Sequence, residues 1–155
     1  MPSQVRKGTE QDLPKVLALI KELAAFERAP NEVEVTIDEM KGWGFGPQKL
    51  FDFFVLETEN EIVGLALYYY KYSTWKGKCL FLEDIIVTEK ERHKGYGTLL
   101  FKAVIQVAKA EGVRRMEWQV LDWNEAAIAF YKKDQAQLDG EWINCKFTYT
   151  QLQSM

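Results

Sequence analysis

The sequence predicts an α/β (α+β) protein on one mixed, mostly antiparallel central sheet with helices on both faces. Three observations carry that expectation. The runs "LFDFFVLET", "IVGLALYYYKYS" and "CLFLEDIIV" follow one another across short turns at "ENE" and "TWKGK", and strands so closely spaced pair antiparallel. A helical stretch then separates the third run from "RRMEWQVLDW", and a strand–helix–strand unit of this kind sets its strands parallel through a right-handed crossover. Amphipathic helical patterns lie before, between and after these strands, so helices are available to cover the sheet.

Each element has its own signal. "QVRKG" reads as a short edge strand. Thr9 with Asp12 starts a helix in capping-box style, and Leu13, Val16, Leu17, Ile20 and Leu23 recur at helical spacing to about Phe26. Thr36 with Glu39 starts a second helix, which the glycines of "GWGFGP" are expected to end. After the three strands, Thr98–Glu111 carries Phe101, Val104, Ile105 and Ala108 on one stripe, with Gly112 as its stop. "RRMEWQVLDW" reads as a strand, "NEAAIAFYKKD" as a helix capped by Asn124, and "EWINCKFTYT" as a closing strand. No linker or repeat interrupts this order, so residues 1–155 are expected to form a single domain.

Bulk properties narrow the function. The chain has 155 residues, 47% hydrophobic and 28% charged, with a net charge of −3, which is globular composition and disfavours a nucleic-acid or anionic-membrane partner. No run approaches membrane-spanning length and the N-terminus has no signal-peptide pattern, so a cytoplasmic protein is expected. Cys79 and Cys145 are too few for a disulfide framework and lie in apolar strand-like runs, which predicts reduced core thiols. With His93 as the sole histidine, no metal set is expected.

The stretch "RHKGYG", Arg92–Gly97, joins a strand to a helix. A glycine turn there presents unpaired N–H groups at the positive end of the helix dipole, a geometry that binds phosphate. Arg92 and Lys94 are expected to add positive charge. The spacing excludes a P-loop, because Thr98 follows Gly97 without a lysine between, and a Rossmann fingerprint, because Leu100 stands where a third glycine or alanine belongs. A plain strand-to-helix turn would also explain a lone Gly-x-Gly.

Glu83 and Asp84 stand in an otherwise apolar strand, where an unpartnered carboxylate is costly. Alternation predicts that they face opposite sides and cannot share a role directly. Structural ion pairs are the plain alternative. Tyr131 lies seven residues after Asn124, which can place both on one helical face. A packing role for Tyr131 and N-capping by Asn124 would explain them equally.

"RHKGYG" resembles the Arg/Gln-x-x-Gly-x-Gly/Ala loop of the Gcn5-related N-acetyltransferase (GNAT) superfamily, which grips the pyrophosphate of acetyl-coenzyme A. "LIKELAAFE", "GFG", "YYYKYSTWKGK", "LEDIIV" and "LDWNEAAIAFYKK" resemble its spermidine/spermine and thialysine N-acetyltransferase subfamily over nearly the full length, with "YSTWKG" and "LDWN" nearer the thialysine branch. The resemblance implies the GNAT fold, acetyl-CoA as cosubstrate and direct transfer to the primary amine of a small molecule. It also implies a homodimer.

The implied roles follow residue by residue. The loop Arg92, His93, Lys94, Gly95, Tyr96, Gly97 and Thr98 would hold the pyrophosphate. The backbone of Ile85, Ile86 and Val87 would bond the pantetheine arm, and Asn124 would contact coenzyme A. Glu83 would act as base, through a water, and Tyr131 as general acid toward the leaving thiolate; a phenol with pKa near about 10 can donate to a thiolate whose thiol pKa is about 8.5. Glu27, Trp75, Glu83 and Asp84 would line the acceptor site, an acidic and aromatic surface suited to a cationic alkyl amine. Polyamine-type members carry an acidic residue where Ser73 stands, which disfavours a polyamine acceptor. The family usually has glycine where Gln135 stands. A polyamine acetyltransferase, a protein-tail acetyltransferase and a non-catalytic acyl-CoA-binding module are the competing readings.

Overall fold

A computed structural model describes residues 2–155. The chain divides into a larger compact unit ending at Gln119 and a smaller one beginning at Val120. The larger unit contains β1 (Gln4–Lys7), α1 (Leu13–Phe26), α2 (Ile37–Phe45), β2 (Asp52–Thr58), β3 (Glu61–Ser73), β4 (Gly77–Val87), α3 (Tyr96–Ala110) and β5 (Met116–Trp118). Its sheet runs β1-β2-β3-β4-β5, antiparallel throughout except for the parallel pair β4–β5. The mixed, mostly antiparallel sheet is therefore present.

Local chemistry sets the elements as expected at the N-terminal end. The Asp12 carboxylate accepts from the Thr9 N–H at 2.7 Å and opens a single 3₁₀ turn that leads into α1. Asp12 is buried, and the Arg6 guanidinium bonds both its oxygens at 2.8 and 3.0 Å, which compensates the desolvation and ties β1 to the helix start. Thr36 and Glu39 cap α2 reciprocally. That helix runs through Gly42 and Gly44 and stops at Gly46, within the glycine run expected to end it. Gly44 serves packing instead, since a Cβ there would lie 2.7 Å from the Phe51 ring.

Helices cover both faces of the sheet. Leu13, Val16, Leu17 and Leu19 of α1 and Met40 of α2 pack with Phe53, Val55, Leu65, Leu67 and Ile86. On the opposite face α3 contributes Leu100, Phe101 and Val104, all buried. Leu100 approaches the sheet at Gly64, where a Cβ would lie 2.9 Å from its Cδ1. α3 begins two residues earlier than the hydrophobic stripe indicates, with Gly95 as its N-cap.

Two departures from the expected strands matter for function. Leu67 pairs with Asp84 while Tyr68 pairs with Leu82, so Glu83 is an extra residue in a β-bulge of β4. A bulge kinks its strand and breaks the alternation of faces. β5 is only three residues long, and its pairing ends at Leu82↔Trp118, immediately before that bulge. The longer strand expected across "RRMEWQVLDW" is thus cut to Met116–Trp118.

The smaller unit carries α4 (Glu125–Lys133) and α5 (Tyr149–Gln153). Asn124 caps α4 by accepting from the Ala127 N–H at 3.2 Å. The helix ends with Gln135 N–H bonded to the Lys132 carbonyl and Ala136 N–H to the Tyr131 carbonyl, a Schellman arrangement. Gln135 has φ 62°, the left-handed conformation that glycine ordinarily supplies. The closing strand expected over "EWINCKFTYT" does not form. Thr148 and Gln151 make a capping box instead and start α5. Cys145 is accordingly exposed rather than a core thiol, whereas Cys79 is fully buried.

Candidate active site

The glycine loop is shaped by two left-handed residues, His93 at φ 67° and Gly95 at φ 83°. The first helical bond of α3 runs from Leu99 N–H to the Gly95 carbonyl at 3.2 Å, and no side chain caps the helix. The N–H groups of Tyr96, Gly97 and Thr98 therefore have no intrahelical carbonyl to bond. A Cβ built on Gly95 or Gly97 meets nothing within 4 Å, so the missing side chains leave open space above those donors. This cradle suits an anionic pyrophosphate.

Arg92 and Lys94 also make local contacts. Arg92 Nε donates to the Val87 carbonyl at 2.9 Å, and its guanidinium lies 5.5 Å over the Phe26 ring and 3.7 Å from Glu22. Lys94 pairs with Glu91 at 2.7 Å. Glu22, which no motif singles out, fixes the loop to α1: it accepts from the Thr88 hydroxyl at 2.7 Å and the Glu89 N–H at 3.0 Å.

β4 carries the next part. Beyond Leu82 it has no pairing with β5, so the stretch Asp84–Val87, including Ile85, Ile86 and Val87, is paired along the β3 edge alone among the described residues. The bulge also brings carboxylates together. Register places Leu65, Leu67, Asp84 and Ile86 on the α1 face, and Glu83 is bonded at 3.0 Å by the hydroxyl of Tyr69, two residues along β3 from Leu67. Glu83 and Asp84 thus share a face, and the expectation that alternation keeps them apart is overturned.

Glu27, the C-cap of α1, completes an acidic trio. Its carboxyl is held above the usual range, first by partial removal from water and then by the charge of Glu83. Asp84 is pushed up to about 7 by burial, then by Glu83 and Glu27. The three carboxylates repel one another, and a cation among them would relieve all three. Tyr69, stacked on Phe81 at 5.4 Å, is the residue that sequence reasoning missed. Its position in the "YYYKY" run gives only an aromatic strand signal.

Trp75 stands at the tip of the β3–β4 hairpin and is 77% exposed. Ser73 organises that tip by accepting from the N–H groups of Trp75 and Lys76, both at 3.2 Å. Asn124 and Tyr131 lie in the smaller unit, one at the cap of α4 and the other buried near its end. Among the described residues there is no group of three or more His, Cys, Asp or Glu side chains arranged to hold a metal. Nor is any helix among them long and apolar enough to cross a membrane.

A strand that loses its parallel partner at a bulge, a glycine-capped helix after it and an acidic trio beside it make up an acyltransferase-like arrangement. The chain belongs to the GNAT acetyltransferase family, whose model matches residues 17–136, and it is an acetyltransferase. It is 34% identical over 157 aligned residues to a thialysine N-epsilon-acetyltransferase of Mus musculus, covering 94% of this chain and 92% of that protein. It is 36% identical over 135 residues to a spermidine/spermine N(1)-acetyltransferase-like protein of Homo sapiens, covering 83% of this chain and 19% of that one. Among solved structures it resembles a metagenomic aminoglycoside acetyltransferase in complex with sisomicin, with a TM-score of 0.77 at 21% identity over 94% of this chain and 95% of that one; this likeness shows the fold.

Proposed function

We propose that the protein transfers acetyl from acetyl-CoA directly to the primary amine of a small molecule, with a thialysine-like amine favoured. The single observation that carries the reading is the gathering of Glu27, Glu83 and Asp84 at the β4 bulge, where the strand also loses its parallel partner. An amine with pKa about 10.4 arrives as an ammonium. The trio attracts it, and Glu83, held by Tyr69, accepts its proton directly or through water so that the lone pair can attack.

The unpaired edge at Ile85, Ile86 and Val87 suits the amides of a pantetheine arm as an added strand. The N–H groups opening α3, from Gly95 to Thr98, suit the pyrophosphate. The kinship supports the remaining assignments: Tyr131 protonating the leaving thiolate, Asn124 contacting coenzyme A, Trp75 lining the acceptor end. The family match runs across both compact units, which supports their acting as one acetyltransferase domain. A homodimer suits the exposed apolar side chains of Trp142, Ile143, Phe147 and Tyr149. Two unpaired thiols suit a reducing cytoplasm.

The test is a panel of amines incubated with acetyl-CoA, following free thiol release and acetylated product by mass. Thialysine should be acetylated with higher kcat/KM than spermidine. Preference for spermidine would move the protein to the polyamine reading, and coenzyme binding without product would make it a binding module. Sedimentation and cell fractionation test the dimer and the compartment.

A further inference from the structure

The face of the sheet that holds Glu83 continues past the cover of α1 as an ordered strip of side chains. Tyr69 bonds Glu83 at 3.0 Å and stacks on Phe81 at 5.4 Å. Lys71, the next residue on that face of β3, sets its Nζ 5.5 Å over the Phe81 ring. Glu117, paired with Phe81 in the sheet, bonds Lys71 at 3.4 Å and Arg115 at 3.1 Å. Arg115 also donates to the Ser73 hydroxyl at 3.1 Å. The strip therefore begins with carboxylates, crosses two stacked rings and ends with two cations that share one carboxylate.

That order is complementary to a zwitterion. An excess positive charge remains at the Lys71–Arg115 end, because Glu117 neutralises only one of the two. The ammonium of Lys71 is 39% exposed along its side chain and the guanidinium side chain of Arg115 38%, so both can be reached by a ligand. Phe81, over which the Lys71 Nζ lies, is two residues from Glu83, a separation of at most roughly 7 Å along the strand at about 3.4 Å per residue, the bulge shortening it. An amino acid of lysine length separates its side-chain amine from its α-carboxylate by a comparable span.

We propose that Lys71 and Arg115 are specificity-determining residues that hold the α-carboxylate of an amino-acid acceptor whose side-chain amine lies among Glu27, Glu83 and Asp84. This rests on the amine acetyltransferase reading above and adds the residues that would recognise the acceptor's carboxylate. The same cations repel the distal ammonium of a diamine or polyamine, which gives the site a repulsive element as well as an attractive one. Arg115 matches the planar carboxylate in bidentate fashion, while Lys71 acts as a point charge over the aromatic shelf.

The experiment compares L-thialysine with its decarboxylated analogue, bis(2-aminoethyl) sulfide, in the wild type and in Lys71→Met, Arg115→Gln and Glu117→Gln. The wild type should prefer the zwitterion in kcat/KM by about tenfold or more, the scale of one charge-assisted hydrogen bond. Lys71→Met and Arg115→Gln should each lower that ratio toward one, mainly through KM of the amino acid. Glu117→Gln frees both cations and should raise it. A cross-strand network with no ligand role predicts instead an unchanged ratio in all three variants, which would overturn the proposal. Equal use of both compounds by the wild type would do the same while leaving the amine reading intact. Acetylation of neither compound would instead mark failure of the amine reading.

Discussion

The Tyr69 hydroxyl donates a 3.0 Å hydrogen bond to Glu83 Oε1 across a 14-residue separation. Its phenol is pushed up to about 12, by burial first and then by the charge of Glu83, so it remains a donor through the neutral range. Glu83 stands exposed in a bulge, where the ladder does not fix it. The phenol is what orients it.

Tyr69→Phe keeps the ring stack on Phe81 and removes only that bond. We expect kcat to fall roughly tenfold, a fraction of the about 10²–10⁴ that a positioned base contributes. KM for acetyl-CoA and the melting temperature should barely move. Steady-state kinetics beside thermal melts check this; unchanged kcat where chemistry is rate-limiting would reduce the contact to packing.

Asp84 gives a pH prediction. Its carboxyl is raised from 3.8 to about 7 in the folded chain, so folding favours the protonated form. The stability this supplies is complete below the ordinary carboxylate pKa and is lost as pH rises through about 7. Wild type should therefore lose stability relative to Asp84→Asn between pH 4 and pH 7, as read from urea midpoints at each pH. A cationic amine beside Asp84 opposes the shift, so its binding near neutrality should release protons. Calorimetry in buffers of different ionisation enthalpy measures that release.

Much of this was legible in the residues because helix and strand periods are local. Capping boxes at Thr9 and Thr36 located helix starts, and "RHKGYG" announced a glycine-capped helix. The bulge was not legible: "LFLEDIIV" alternates plausibly on its own, and only the register against β3 shows that Glu83 is the extra residue. The Lys71–Glu117 pair was hidden for a similar reason, since its partners are 46 residues apart. At the C-terminus the β-branched and aromatic content of "EWINCKFTYT" outweighed a Thr148–Gln151 capping box.

Gln135 offers a stability test separate from chemistry. It holds φ 62° at the Schellman end of α4, where a side chain costs about 1 kcal/mol. Glycine there removes the strain but widens the unfolded ensemble, which returns part of the gain. Gln135→Gly should stabilise the fold by a net of about 0.5 kcal/mol, with kcat unchanged. Chemical denaturation decides it; a loss of stability would mean that the Gln135 side chain contributes more than its backbone strain costs.

Gly97 separates binding from folding. Unlike Gly95, it has no positive φ, and a Cβ there meets nothing within 4 Å. It lies in the first turn of α3, so Gly97→Leu replaces a poor helix former with a good one and should raise stability by about 0.5–1 kcal/mol. The new side chain occupies the space over the N–H groups of Tyr96, Gly97 and Thr98. Loss of one or more bonds from those groups to a charged phosphate should weaken acetyl-CoA binding by about ten- to a hundredfold. The expected result is a variant that melts higher yet binds the cosubstrate less tightly in calorimetry. Gly95→Ala should weaken binding and stability together, because φ 83° strains any side chain there. If Gly97→Leu binds acetyl-CoA with wild-type affinity, the pyrophosphate does not lie over this turn and the loop is only a helix cap.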